Sequence, residues 1–207
     1  MSKGQLFIVS GPSGSGKDTI LKEVLARCPR LEFSISTITR AMRKGEVEGE
    51  KYHFITKDKF LRLLEQGEFL EYNEYMGNFY GTPKTPVKKC LESGNDMILE
   101  VDVNGAEKVR SQLPDVVSIF IMPPSLEVLK KRLSGRGTET QEAILGRLKT
   151  AISEIKRASE FDYIVVNDNL ECAVDNLISI IKSERSKRER MYYIIDEVLK
   201  DVGSFNW

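Results

Sequence analysis

Short, almost continuous apolar runs alternate along the chain with segments whose apolar residues recur every three to four positions. Gln5–Ser10, Met97–Asp102, Val117–Ile121 and Asp162–Asp168 are such runs. They suit strands buried on both faces of a parallel sheet. Ile20, Leu21, Val24 and Leu25 recur at helical spacing and stop before Pro29. Leu126, Leu129 and Leu133 follow Ser125, a capping residue. Ile144, Leu148, Ile152 and Ile155 mark another helix behind Thr138–Gln141, which fits a capping box. Leu170, Ala173, Val174, Leu177, Ile178 and Ile181 give a last amphipathic helix, which the mixed-charge run Lys182–Arg190 extends on a solvated face. Beyond it, Tyr192, Tyr193, Ile194 and Ile195 can pack on the core or on a partner.

The middle third breaks this rhythm. Phe33–Ser36, Tyr52–Ile55, Phe69–Tyr75 and Gly77–Thr82 read as short strands. Asp58 caps a helix with Phe60, Leu61 and Leu64 that ends at Gly67, and another helix runs from about Pro86 to Gly94. The pattern predicts one α/β domain: a core (1–35, 95–130, 160–207), a mixed insertion (about 36–94) and a lid segment (about 131–159). The glycine-hinged basic stretch Arg132–Gly137, with Arg136 at its centre and Arg147 on the next helix, is either a charged surface or a lid that closes over phosphates.

The chemistry concentrates in Gly11-Pro12-Ser13-Gly14-Ser15-Gly16-Lys17-Asp18-Thr19. It fits the phosphate-binding pattern G-x-x-x-x-G-K-[ST] except at the last position. Glycines let successive backbone N–H groups form an anion nest, and a helix N-terminus behind it adds positive charge. The required strand, loop and helix are all present. Asp18 stands where a hydroxyl normally meets Mg²⁺. Thr19 can serve instead, or the ion can be held through water. Glu100 and Asp102 end the run Met97–Asp102, where a parallel sheet faces its ligand crevice.

Composition narrows the rest. In 207 residues, 31 Lys and Arg balance 31 Asp and Glu, so no global positive field favours nucleic acid. Cys28, Cys90 and Cys172 are scattered, as in a reduced compartment, and His53 is the single histidine. A single histidine argues against a His-based triad and a multi-His metal site. There is no signal-peptide pattern and no apolar run of bilayer length, so a cytoplasmic protein with no membrane partner is expected.

With these residues placed, the chain resembles the bacterial guanylate kinases, nucleoside monophosphate kinases of the P-loop class. The resemblance runs from about Lys3 to Glu184. It rests on the Gly11–Lys17 loop, Ser36 through Arg40 and Arg43, Gly45-Glu46, Tyr52, Glu71, Tyr80-Gly81-Thr82, Asp102 with Gly105, Pro123-Pro124-Ser125, Arg132–Gly137 and Val166-Asn167-Asp168. It implies a P-loop NTPase-type sheet with a GMP-binding insertion and a short helical lid. The implied reaction is ATP + GMP = ADP + GDP, with Mg²⁺ as cofactor. Gly11 through Thr19 would bind ATP, with Lys17 on its phosphates and Asn167 near adenine. Arg40, Arg43, Tyr52 and Tyr80 would take the GMP phosphate, and Arg40 would also count with Lys17 among the catalytic residues. Ser36, Glu71 and Thr82 would read guanine, with Asp102 nearby. Arg132, Arg136 and Arg147 would reach the transferring phosphoryl group, and Thr19 and Glu100 would lie near the metal. Besides Asp18, Ile38 replaces a usual hydroxyl residue and Glu100 a common aspartate.

The base-reading assignment has a physical basis. Guanine offers two donors on its Watson–Crick edge, which one carboxylate can accept in a fork, and its O6 takes a hydroxyl donor. Phosphoryl transfer needs positioning and charge neutralisation, not a covalent nucleophile. Two alternatives stay open: a peptide-binding module of the same fold, and a same-fold kinase with another acceptor. The oligomeric state is not fixed by the sequence.

Overall fold

The computed structural model describes residues 3–134, 141–200 and 202. In chain order, β1 (Leu6–Ser10), α1 (Lys17–Arg27) and β2 (Leu31–Phe33) are followed by β3 (Ser36–Ile38), β4 (Tyr52–Phe54), α2 (Lys57–Glu65), β5 (Phe69–Tyr75), β6 (Asn78–Pro83) and α3 (Lys84–Glu92). Then come β7 (Asp96–Glu100), α4 (Val103–Gln112), β8 (Val117–Met122), α5 (Leu126–Ser134), α6 (Gln141–Lys156), a 3₁₀ turn (Ala158–Glu160), β9 (Tyr163–Val166), α7 (Leu170–Arg185) and α8 (Arg188–Leu199).

One sheet has the order β2-β7-β1-β8-β9, and every pairing in it is parallel. Alternation along each strand splits the apolar runs between two faces. Phe7, Val9, Ile98, Ile119, Ile121 and Val165 pack under α1 and α7, against Ile20, Val24, Val174 and Leu177. Leu6, Ile8, Met97 and Leu99 pack under α3 and α4, against Val87, Cys90, Ala106 and Val109. Helices on both faces make this an α/β fold and explain the absence of polar alternation in these strands. β1 sits between β7 and β8, so the chain leaves its C-terminal end at a switch in strand order, where α/β sheets open a crevice.

A second, mixed sheet has the order β4-β3-β6-β5. β5 and β6 form a hairpin across Met76-Gly77, whose φ values of 49° and 73° match the two-residue turn that suits strand twist. Under it, Phe60 stacks on Phe69 and Phe79 with centroids 4.3 and 5.2 Å apart. A Cβ on Gly81 would stand 2.8 Å from the Phe69 ring, which explains a glycine in β6. α3, grouped with the insertion by the sequence reading, packs instead on the first sheet through Val87, Cys90 and Leu91.

Several sequence expectations are corrected. Phe33–Ser36 is not one strand. β2 ends at Phe33 in the first sheet, Ser34 N donates to Ile98 O at 2.9 Å, and Ser36 opens β3 in the second. Thr56, not Asp58, caps α2, accepting from Lys59 N at 3.3 Å. Helix α4 was not predicted, because Val103, Ala106 and Val109 are its only core apolar residues. The run Lys182–Arg190 is interrupted after Arg185, and within it Glu184 is buried, accepting from Tyr163 Oη and pairing with Lys187 at 2.8 Å. α8 buries none of its residues; Tyr192 and Ile195 are exposed. Arg136 with its flanking glycines, Thr138–Thr140 of the capping box and, in the tail, residues 201 and 203–207 lie outside the described residues. No helix among the described residues is long and apolar enough to cross a membrane.

Candidate active site

The loop after β1 is shaped by backbone that only glycine tolerates easily. Gly11 and Gly16 have φ of 141° and 92°. A Cβ on Gly11 would lie 2.4 Å from Ile121 O, and one on Gly16 would lie 2.2 Å from Asn167 Nδ2. The loop is therefore seated directly on the C-terminal ends of β8 and β9. Asn167 Nδ2 donates to Ser15 O at 2.7 Å, and Arg132 donates to Ser15 O and Asn167 O at 3.3 and 3.0 Å. Arg147, from α6, donates to Ser13 Oγ. Gly16 precedes α1 without a side-chain cap, so the helix's positive end faces the loop. The buried Ser15 Oγ has no hydrogen-bond partner.

Lys17 Nζ donates to the carbonyls of Gly11 and Pro12, back across the loop. Burial lowers its pKa from the ordinary lysine value, against the raising effects of Glu100, Glu154 and Asp18. Thr19 is exposed in the first turn of α1. Glu100 closes β7, and its Oε2 is buried without a directed hydrogen bond. Lys51 Nζ lies 2.9 Å from that oxygen and also pairs with Asp18, so the contact to Glu100 is ionic rather than a well-aligned hydrogen bond. The Lys51 ammonium thus neutralises this buried oxygen, and a cation or cation-bound water at Glu100 would share it with Lys51.

Beside this loop, between the two sheets, lies a cavity of about 370 Å³. Ser36, Arg40, Arg43, Tyr52, Glu71, Tyr80 and Asp102 all line it, which brings together every predicted acceptor-site residue except Thr82. Thr82 is fully buried behind Glu71 and donates to Glu71 Oε1 at 2.7 Å. Burial pushes the Glu71 carboxyl above the usual range, while the Thr82 bond pulls it down. Gly105 leaves room at the other oxygen, since a Cβ there would stand 3.2 Å from Glu71 Oε2. Asp102 caps α4: its Oδ1 accepts from Gly105 N at 2.7 Å and its Oδ2 from Asn73 Nδ2 at 2.8 Å. Both its oxygens are thus already engaged in shaping the wall.

Arg40 is fixed by Glu46 through two parallel bonds of 2.7 and 2.6 Å, and its guanidinium lies 5.3 Å from the Tyr52 ring centroid. Glu46 also accepts from Arg43 N at 2.7 Å. These partners, the Arg40 bonds foremost, hold the Glu46 carboxyl down at about 2.

Asn73, Tyr75 and Lys51 escaped sequence reasoning. Asn73 and Tyr75 lie two and four residues from Glu71 on β5, and strand alternation puts all three on one face. Lys51 stands in a polar loop that gave no signal. A larger hollow of about 830 Å³, lined by Gln5, Val116, Glu184 and Tyr193, lies at the opposite ends of β1 and β8 and holds none of the predicted residues.

A family model described as guanylate kinase matches residues 3–184. A guanylate kinase of Oceanobacillus iheyensis is 48% identical over 199 residues, 96% of this chain and 97% of its own length. One from Clostridioides difficile is 45% identical over 201 residues, covering 97% and 98%. The crystal structure of guanylate kinase from Anaplasma phagocytophilum superposes with a TM-score of 0.79 at 34% identity, covering 100% of this chain and 98% of that one.

Proposed function

The chain belongs to the guanylate kinase family, an ATP-dependent phosphotransferase that converts GMP to GDP, and we propose how its residues divide that work. The supporting observation is the cavity between the sheets, where a cation-rich end and a base-sized carboxylate pocket lie next to the phosphate loop. In this reading the strand-end crevice is the core's donor site, residues from about 36 to 94 supply the acceptor site, and the segment from about 131 to 159 acts as a lid.

The loop Gly11–Thr19 holds the ATP phosphates with backbone N–H groups and the N-terminus of α1. Lys17 exchanges its loop carbonyls for phosphate oxygens. Asn167, which hydrogen-bonds the loop at Ser15 O, positions the loop and borders the adenine. The GMP phosphate meets Arg40, Arg43, Tyr52 and Tyr80. Guanine's two donors meet the Glu71 carboxylate, which Thr82 orients from behind, and Ser36, which lines the cavity, supplies the hydroxyl for O6. Asp102 holds the pocket wall. Arg132, Arg136 and Arg147 bring charge to the transferring group, which in-line phosphoryl transfer requires more than any nucleophilic side chain. Thr19 and Glu100 would hold Mg²⁺, directly or through water, and the ion would supply neutralisation of phosphate charge. The protein works on small nucleotides in the cytoplasm.

ADP release measured with GMP, AMP, CMP and UMP as acceptors tests this reading. GMP should dominate. Comparable rates with another nucleotide would assign a different acceptor, and no release with any would favour the peptide-binding alternative.

A further inference from the structure

Lys51 belongs to no part of the machinery described so far, yet it sits where the donor and acceptor sites meet. It immediately precedes β4, whose first residue, Tyr52, lines the acceptor cavity. Ser36 N donates to its carbonyl at 3.3 Å, which anchors its backbone to the second sheet. Its side chain crosses to the first sheet. There the ammonium pairs with Asp18, the residue directly after Lys17, and lies 2.9 Å from Glu100 Oε2. Lys51 is close enough to Lys17 for the two ammonium charges to oppose each other.

Asp18 poses a problem that Lys51 answers. A carboxylate at this position faces the phosphates of a bound nucleotide, where a hydroxyl would carry no charge. Asp18 and Glu100 together place two negative charges beside the loop that must accept a polyphosphate. We propose that Lys51 is a charge-compensating residue of the donor site, cancelling the Asp18 carboxylate so that the loop can hold nucleotide phosphates. The inference rests on the reading of Gly11–Thr19 as the nucleotide phosphate site.

Geometry favours compensation over a simple tether. The Lys51 side chain is 38% exposed and that of Asp18 71% exposed, so this pair is solvated and tethers α1 only weakly. The link between the sheets is the Lys51 contact to Glu100, whose side chain is 16% exposed, and Asp18→Ser leaves it in place. A charge beside a polyphosphate acts on several phosphate oxygens at once, whatever the strength of its own ion pair. The interaction is also long-ranged and therefore screened by salt, which packing is not.

The test is a double-mutant cycle on the full chain, read as the affinity for ATP by calorimetry with Mg²⁺ removed by chelation. Lys51→Met should weaken ATP binding about tenfold at low salt. The loss should shrink severalfold at about 0.5 M salt. Asp18→Ser alone should bind at least as tightly as the parent. Asp18→Ser added to Lys51→Met should recover most of the loss, and Lys51→Arg should keep parental affinity. The proposal is overturned if Lys51→Met binds ATP like the parent, or if Asp18→Ser fails to rescue it. It is equally overturned if the loss is independent of salt, as lost packing of the lysine stem would give. GMP-dependent ADP release by the parent chain is measured alongside, so failure of the kinase reading is seen separately from failure of the charge couple.

Discussion

Thr82 Oγ1 donates to Glu71 Oε1 across 2.7 Å in a buried setting, leaving Glu71 Oε2 facing the space beside Gly105. Oε1 keeps a second lone pair beside the Thr82 bond, so the carboxylate is fixed in place while both oxygens can still accept from a ligand in the cavity. A hydroxyl that fixes a carboxylate in this way sets the angle at which the base edge is read.

Replacing Glu71 tests base recognition. Glu71→Gln keeps the shape but sets an NH₂ donor against guanine's donors. The loss of a charge-assisted bond and the donor clash should cost about 2–4 kcal/mol in kcat/KM for GMP. AMP presents an acceptor at the same place, so its kcat/KM should fall less or rise. Steady-state kinetics with both nucleotides in both proteins check this; an unchanged GMP-to-AMP ratio would remove Glu71 from base reading.

Lys17→Ala should lower kcat by about a hundredfold or more, the scale of losing one preorganised donor aimed at developing charge. Its Nζ now satisfies loop carbonyls, so the fold should survive the change. Turnover near the parental value, with an unchanged melting temperature, would contradict the assignment.

Gly16 and Gly45 separate strain from collision. Both have positive φ, 92° and 89°. A Cβ at Gly45 meets nothing within 4 Å, whereas one at Gly16 meets Asn167 Nδ2 at 2.2 Å. Gly45→Ala should cost only the left-handed backbone penalty, about 1–2 kcal/mol of stability. Gly16→Ala should in addition expel Asn167 from Ser15 O and abolish most ATP affinity. Thermal melts and ATP titrations of the two variants check the contrast; equal ATP affinities would mean the Asn167 contact does not shape the loop.

Much of this arrangement was legible in the chain because each feature had a local cause. The parallel strands announced themselves as unbroken apolar runs, and the phosphate loop required Gly11, Gly14 and Gly16 in register with Lys17. Other features depend on distant partners. Lys51 gains its meaning only from Asp18 and Glu100, which lie 33 and 49 positions away along the chain. Asp102 looked like a ligand-facing acid, yet its oxygens are taken by Gly105 N and Asn73. Helix α4 was hidden because most of one side is polar and a glycine interrupts its core face, and packing on β5 and β1 compensates for that low propensity.

Glu46 organises the phosphate-binding end from outside the cavity. It grips Arg40 bidentately and the backbone N of Arg43. Glu46→Gln should loosen both, raising KM for GMP severalfold while kcat changes little, because Arg40 binds the non-transferring phosphate in both ground and transition states. An equal fall in kcat with unchanged KM, in initial-rate data, would place Arg40 on the transferring group instead.

Glu71 and Glu46 carry opposite pH signatures, and the Glu71 one links recognition to stability. Burial, the larger influence, raises the Glu71 pKa above the ordinary glutamate value, with Thr82 partly opposing it. Between the unfolded and folded pKa values the folded state holds the extra proton, so stability falls as pH rises through that window. Above that window the folded protein carries the full penalty of ionising a buried carboxylate. Glu71→Gln removes it and should melt at a higher temperature than the parent at pH 7–8, with the advantage fading as pH falls toward the ordinary carboxylate range, about 4.3. Recognition runs the other way. Guanine's donors require the ionised form, so KM for GMP should climb on acidification at higher pH than an ordinary glutamate would give, and Glu71→Gln should lack that limb. Melting curves and GMP kinetics across the same pH series decide the matter. A variant that gains no stability at neutral pH, or whose gain is the same at every pH, would show that Glu71 is not held ionised against its burial.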